Sequence, residues 1–380
     1  MAGDREVIGV SGIRAQHRLS SHHGLLYSAP RDSPQDEVDA MIVPSVRHPH
    51  ALKHAVELAF QLKCVLVVLC SKHSSARAIA RWVAEVDVPL IAIDTGRRTE
   101  RLLLRFRTCD LLEKTRFRRF ADTSHKRNLG LAVARMAGWE RIVFLDDDIE
   151  VPDPADLRRA AALTDRFGAA GLNLHGYPDN SVVFHAHREV GGDRNVFVGA
   201  GALAVSTRSS PSFFPNIYNE DWFFLLNGES LTPTAVTGIA WQKPYDPFTN
   251  DTRARAEELG DVLAEGLFWL LHEGRSLREA NTDYWRRYLC KRQNFIIETV
   301  NRILMMKASD SRQRMLNSLK AASGRSQVIR PELCEAFVQA WREDRRTWSY
   351  HLERIQPSSR QNFRGGDVHK VLADIGILWT

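Results

Sequence analysis

A chain of 380 residues with 44% hydrophobic and 26% charged side chains has the composition of an ordinary globular protein, which excludes a fibrous or disordered chain. Its formal charge of +6 and pI near 9.1 favour anionic partners: nucleotide phosphates, nucleic acid or an acidic membrane surface. The five cysteines, Cys64, Cys70, Cys109, Cys290 and Cys334, form no CxxC pair, which argues for free thiols in a reducing compartment over a zinc site or a disulfide framework.

The N-terminal MAGDREVIGV has no secretory signal pattern, and no run reaches the roughly 18–20 apolar residues of a membrane span. The expected location is therefore cytoplasmic, with peripheral membrane contact open. Residues 1–39 read as an extension with one strand at Val7 to Val10 and a loop containing His17, His22 and His23, whose spacing fits no common metal pattern.

From Ala40 the pattern turns regular. Ala40 to Val43 predicts a strand stopped by Pro44, and His50 to Leu62 a helix with Ala51, Ala55, Leu58, Ala59 and Leu62 on one face. Val65 to Leu69 is a second strand, followed by a helix from Ser74 to Glu85 capped by Ser74 or Ser75. Val88 to Ile93 is a third strand and Thr99 to Lys114 another helix. Strands alternating with helices predict βαβ units in a doubly wound parallel sheet.

Thr123 to Gly138 predicts a helix with Leu129, Ala132, Val133 and Met136 on one face, Thr123 or Ser124 as cap and Gly138 as stop. Its first turn holds His125, Lys126, Arg127 and Asn128. Cations there oppose the helix dipole, so they are placed either for a ligand or as solvated surface charge. The helix leads into RIVFLDDDIEVP, where the apolar Ile142 to Leu145 run into Asp146, Asp147 and Asp148. A buried strand ending in three carboxylates sets them at the sheet edge where ligands bind in open α/β sheets. Their mutual repulsion calls for a cation or strong donors, and hard oxygen ligands suit Mg²⁺ or Mn²⁺.

Pro154 to Phe167 follows as a helix, then strands at Ala169 to Leu174, Ser181 to His187 and Asn195 to Ser206, with turns at Pro178-Asp179 and Gly191-Gly192. A mixed sheet is expected in this half. Gly199-x-Gly201-x-x-Ala204 superficially matches a dinucleotide fingerprint, but Ser209, Ser210 and Pro211 break any helix it would open. The small residues instead let backbone approach a ligand. Glu220-Asp221 begin the short helical pattern NEDWFF, Thr234 to Trp241 is a strand and Gln242 to Asn250 a loop. Long helices follow at Ala254 to Glu273, Glu279 to Met306 and Pro331 to Ile355, the second with a polar side of Arg286, Arg287, Lys291 and Arg292 that is a solvated face or meets an anionic lipid or phosphorylated acceptor.

The succession of a strand ending at Pro44, KRNLGLAVARMAGWERIVFLDDDI, a glycine-rich strand and NEDWFF resembles the nucleotide-sugar glycosyltransferases of the GT-A fold, particularly the inverting family 2, over about residues 40–250. The resemblance implies an α/β, Rossmann-like doubly wound fold with a mixed central sheet in a catalytic domain at 40–250, and a helical C-terminal region at 251–380 that could bind acceptor. It implies a metal-dependent hexosyltransferase taking a UDP-, GDP- or dTDP-sugar to a hydroxyl acceptor, with no nucleic acid partner. Asp146 and Asp148 match the DxD pair that holds nucleotide and metal, Mn²⁺ or Mg²⁺, and Asp147 between them joins the donor set. Pro44, Ser45 and Arg47 match the nucleotide-pocket loop, Cys70, Ser71 and Lys72 the base contact, and Lys126, Arg127 and Asn128 the segment near base and phosphates. Gly199, Ala200 and Gly201 match the residues beside the sugar; Asp221 matches the general base, with Glu220 as second choice.

Cys70-Ser71-Lys72 stands where the family has an acidic turn, which leaves the nucleobase open. No late metal-ligand histidine stands near Trp241 to Lys243; His185, His187 or His272 could substitute, and a retaining reaction stays open beside an inverting one. A sugar-nucleotide pyrophosphorylase would need a glycine-rich basic loop after the first strand, which PSVRHPH is not. A basic nucleic-acid or membrane-binding module and an inactive scaffold are the non-catalytic alternatives.

Overall fold

Short β-branched apolar runs become the strands of one nine-stranded sheet in the computed structural model, which describes residues 22–96, 99–177, 180–192, 197–208 and 212–355. The expected strand at Val7 to Val10, His17, the turn at Pro178-Asp179, the start of the Asn195 strand and the breaker Ser209 to Pro211 lie outside the described residues. The strands are β1 (Tyr27–Ser28), β2 (Ala40–Ser45), β3 (Val65–Cys70), β4 (Leu90–Asp94), β5 (Arg141–Leu145), β6 (Ile149–Glu150), β7 (Ala169–Gly176), β8 (Ala202–Ser206) and β9 (Thr234–Gln242).

Their order is β1-β9-β7-β8-β5-β2-β3-β4, with β6 beside β9. β2 to β5 run parallel, whereas β8 is antiparallel to both β5 and β7. The sheet is thus mixed and doubly wound, as expected. Helices α1 (Lys53–Leu62), α2 (Ala76–Val83), α3 (Arg107–Glu113), α4 (Thr123–Ala137), α5 (Pro154–Leu163), α6 (Val182–Glu189) and α7 (Glu220–Phe224) accompany it, and α8 (Asp251–His272), α9 (Thr282–Leu304), α10 (Asp310–Ser326) and α11 (Pro331–Arg354) form the C-terminal helical region. One hydrophobic cluster joins α4 and the C-terminal helices to one side of the sheet, and a second joins α1, α2 and α5 to the other. With both faces covered, β3 is buried at every position, the reason its sequence is apolar without alternation.

Several elements depart from expectation, each for a local reason. Pro44 does not stop β2, because β5 pairs only with Ala40 to Ile42 and at Pro44 the strand has β3 alone beside it. The Thr99 helix is a 3₁₀ turn at Thr99–Leu102 and then α3. Ser181 to His187 is helical rather than extended: the Glu257 carboxylate accepts from the Val182 N–H at 2.9 Å, and Val182, Val183, Phe184 and Ala186 pack with α9 and α10. α2 is capped by Asp94, which accepts from the Ala76 N–H at 2.8 Å, and α4 begins after Asp122 while the Ser124 hydroxyl is turned to the Pro215 carbonyl. The described residues before β2, from His22 on, are anchored: β1 pairs with β9, and His22 is buried against Glu265 of α8 at 3.1 Å. Among the described residues no helix is long and apolar enough to cross a membrane.

Candidate active site

At the carboxyl edge of β2, β3 and β5 the chain leaves the sheet in three polar loops, and α4 packs beneath them. The cations of its first turn are not surface charge. Lys126, Arg127 and Asn128 are 1%, 3% and 2% exposed. Lys126 Nζ donates to the Ser45 carbonyl at 2.8 Å and the Ser71 hydroxyl at 2.7 Å, so it joins the ends of β2 and β3. Burial lowers its pKa, against the opposing pull of Asp122. Asn128 donates to the Phe214 carbonyl and accepts from the Phe214 N–H, both at 2.8 Å. Its amide is thereby committed to holding the 212–217 loop.

Arg127 is the hub. One of its nitrogens donates to both oxygens of Asp146 at 2.8 and 2.9 Å, the other to Glu220 at 2.7 Å. Burial opposes its charge, but Asp146 and Glu220 hold its pKa above the ordinary value. The Asp146 side chain opens on the cavity below, yet its depth pushes its pKa up to about 6 despite Arg127. Beside it, Asp147 accepts from the Ser45 hydroxyl at 2.7 Å and from Arg47, and burial raises its pKa against both. Asp148 accepts from Arg47 at 3.0 Å.

A left-handed turn positions the acidic pair. Asn219 adopts left-handed backbone (φ 58°), a conformation asparagine tolerates, and its side chain donates to Asp261 of α8 at 3.2 Å. Gly260 lets that turn rest on α8: a Cβ there would stand 2.2 Å from the Tyr218 carbonyl oxygen. Asp221 then accepts from the Ala200 N–H at 2.9 Å and the Trp222 N–H at 3.0 Å. The expected Asn195 to Ser206 strand forms only as β8, and the described residues before it, 197–201, are a loop and turn; a Cβ on Gly199 would lie 2.8 Å from the Asp221 carboxylate, so this loop serves as its seat. Burial, then the neighbouring Glu220 charge, raises the Asp221 pKa.

Arg127, Asp146, Gly199, Gly201, Glu220 and Asp221 wall one cavity of about 150 Å³. Pro44, Ser45, Arg47, Ser71, Lys126, Asp147 and Asp148 are not on its wall; they form the adjoining edge, linked to it through the Asp146–Asp148 turn. Cys70 is buried at the end of β3 with its thiol pushed up to about 11, which keeps it neutral. Arg119, Tyr218, Trp222 and Gln242 also line the cavity. Arg119 donates to the Ile217 carbonyl and to Glu220 at 3.2 Å. The only signal for it in the chain is the basic-aromatic run RFRRF just ahead of α4, and Gln242 carries none because it ends a strand otherwise unremarkable in sequence.

The donor set bears on a metal in a definite way. Among the described residues no group of three or more His, Cys, Asp or Glu side chains is placed to hold an ion. His185 bonds to Tyr245 at 2.8 Å and His272 stacks on His22, so neither joins the aspartates. Both Asp146 oxygens are taken by Arg127, whereas Asp148 meets a single guanidinium that is itself 46% exposed. A carboxylate of that kind, completed by ligand phosphates, fits Mg²⁺ or Mn²⁺ chemistry.

No protein-family model matches the chain and no curated protein matches it. Among solved structures it is similar to the mannose-1-phosphate geranyltransferase of Thermus thermophilus, with 17% identity and a TM-score of 0.30 over 59% of this chain and 79% of that one. At that TM-score the likeness bears on neither substrate nor reaction.

Proposed function

We propose that the chain is a nucleotide-sugar enzyme, and specifically a glycosyltransferase that moves a sugar from a nucleoside-diphosphate donor to an acceptor hydroxyl with inversion. The observation that carries the reading is the joint placement of Asp146 and Asp221 on one cavity, coupled through Arg127 and Glu220. The donor diphosphate would lie at the Asp146–Asp148 edge with Arg47 and Lys126 near it. Asp148, with Asp146 behind it, would hold Mn²⁺ or Mg²⁺, which offsets charge on a departing diphosphate.

Asp221 supplies the base. Its carboxylate is fixed by two backbone amides, and its raised pKa brings it closer to working pH, where a general base is most effective. In a direct displacement Asp221 takes the proton from the acceptor hydroxyl as the oxygen bonds to the anomeric carbon and the bond to the diphosphate breaks. Gly199 leaves room for the Asp221 carboxylate itself, which keeps the base on the wall of the cavity that would receive the sugar.

UDP-, GDP- and dTDP-sugars tested with and without Mn²⁺ or Mg²⁺ check the reading. One nucleotide class should raise the melting temperature in the presence of metal, by an amount equivalent to about 2.7 kcal/mol at a hundredfold excess over Kd, and be slowly hydrolysed. Asp148→Asn should abolish the metal-dependent part. Silence from every donor would contradict the proposal, and formation of pyrophosphate from a nucleoside triphosphate and a sugar 1-phosphate would point to a pyrophosphorylase instead.

A further inference from the structure

The Asp221 cavity is not closed on the side of the C-terminal helices. It shares Arg119 and Tyr218 with a neighbouring cleft of about 640 Å³, and that cleft shares Arg116, Arg255 and Arg325 with a groove of about 950 Å³ between the start of α8 and α10. The loop from Arg116 to Ala121 runs along this path, with Arg116 toward the groove and Arg119 at the Asp221 end.

Among the described residues, none of the arginines at the junction has the buried carboxylate partner that Arg127, Arg253 and Arg292 have. Arg105, Arg107, Arg275 and Arg278 each lie against a carboxylate. Arg325 instead donates to the Arg116 carbonyl at 2.8 Å and lies over the Phe117 ring at 5.5 Å, with no carboxylate partner among the described residues. Arg116 makes no ion pair among the described residues, and Arg255 meets only the partly exposed Asp251 at 2.8 Å. The three arginines line the same cleft and groove; burial lowers the Arg325 pKa most, and the nearby charges of Arg116 and Arg255 lower it further. Such crowding raises the free energy of the empty cleft and is relieved by an anion. A carboxylate would offset one charge; a phosphate monoester carries about −1.5 to −2 and three acceptor oxygens, and arginine forks match that geometry.

We infer that the acceptor bears a phosphate group, which Arg116, Arg255 and Arg325 hold while its hydroxyl reaches Asp221 past Arg119 and Tyr218. The inference rests on the transferase reading. Neither the cleft nor the groove that these arginines line includes Arg47, Lys126 or the Asp146–Asp148 edge proposed for the donor diphosphate, so the group they hold is distinct from it. Phe120, 80% exposed and 4.9 Å from the Arg118 guanidinium, adds an apolar platform on the cleft wall for the body of the acceptor.

The test titrates the full chain calorimetrically with inorganic phosphate and glycerol 3-phosphate, and by flotation with phosphatidylcholine vesicles with and without phosphatidic acid. The variants are Arg116→Gln, the double Arg116→Gln/Arg325→Gln, and a control of equal charge change on the exposed face of α9, Arg286→Gln/Arg287→Gln. Arg116→Gln removes a side chain that makes no ion pair in the described fold, so it reads binding even if the double variant unfolds. Each cleft arginine lost should weaken phosphate binding about tenfold, the control should bind as the parent does, and the melting shift with nucleotide and Mn²⁺ should persist. Loss of glycerol 3-phosphate affinity identifies a soluble acceptor, and loss of phosphatidic-acid vesicle binding alone identifies a lipid-borne one; both support the inference. Phosphate binding indifferent to the cleft variants, or weakened as much by the control, would overturn it. Phosphate binding in the cleft of a protein that no sugar nucleotide stabilises would sink the transferase reading, and the acceptor role with it.

Discussion

Replacing Arg292 by Met removes a guanidinium that two buried carboxylates share. Arg292 donates to both oxygens of Glu258 at 3.0 and 2.9 Å and to Asp261 at 2.6 Å, and all three side chains are 2% exposed or less. Asp261 would keep the Ser181 hydroxyl at 2.6 Å and the Asn219 amide at 3.2 Å, so the stranded charge is chiefly Glu258. Breaking a buried pair from one side costs about 3–5 kcal/mol, and because methionine fills similar volume the expected loss is about 4 kcal/mol near pH 8. Burial already raises the Glu258 pKa and Arg292 opposes the rise; without Arg292 it climbs further. A carboxyl whose folded pKa lies above its unfolded value stabilises below the unfolded pKa and loses that contribution as pH rises through the folded one. The deficit should therefore shrink toward about pH 5. Urea denaturation at the two pH values measures it, and a deficit under about 1 kcal/mol, or one independent of pH, would refute the reasoning. Because Asp261 also holds Asn219, turnover should fall in the variant even where it is folded.

Gly199→Ala puts a Cβ 2.8 Å from the Asp221 carboxylate; turnover should drop at least tenfold while denaturation moves by about 1 kcal/mol or less, and an unchanged rate would show that Asp221 need not stay in its seat. Glu220→Gln removes the like charge that helps raise the Asp221 pKa. The acid limb of the pH–rate profile, where the base becomes protonated, should move to lower pH, and a limb that stays put would argue that another group titrates there.

The site was legible where chemistry is local. Ile142 to Leu145 running into three aspartates, and α4 ending at Gly138 (φ 70°), announce both a strand edge and the helix that feeds it. The small residues at Gly199 to Gly201 were readable as a close approach, although in this structure Gly199 and Ala200 approach Asp221 and Gly201 lies against Ile149 and Asp146. The failures come from partners remote in sequence. α6 reads as a strand from Val182-Val183, yet its first N–H is satisfied by a carboxylate 75 positions later. Arg292 falls on the polar side by helical spacing, yet α8 presents two carboxylates to it. α10 has too few apolar residues to show a periodic face; Met315, Leu319 and Ala322 suffice because α6, α8 and α9 surround them. The fate of Lys126 and Arg127 was equally invisible, since either solvent or ligand could explain such cations in sequence, and the structure instead gives them protein partners at the site.

The general-base role of Asp221 is the central claim, and Asp221→Asn tests it most directly. The amide keeps the size of the carboxylate and an oxygen that can accept one backbone N–H bond. With the responsive sugar nucleotide and metal, the variant should retain donor affinity within about threefold of the parent while turnover falls by about 10²–10⁴, the range a positioned proton acceptor supplies. Donor affinity falling as steeply as turnover would make Asp221 a structural support of the cavity and contradict the account.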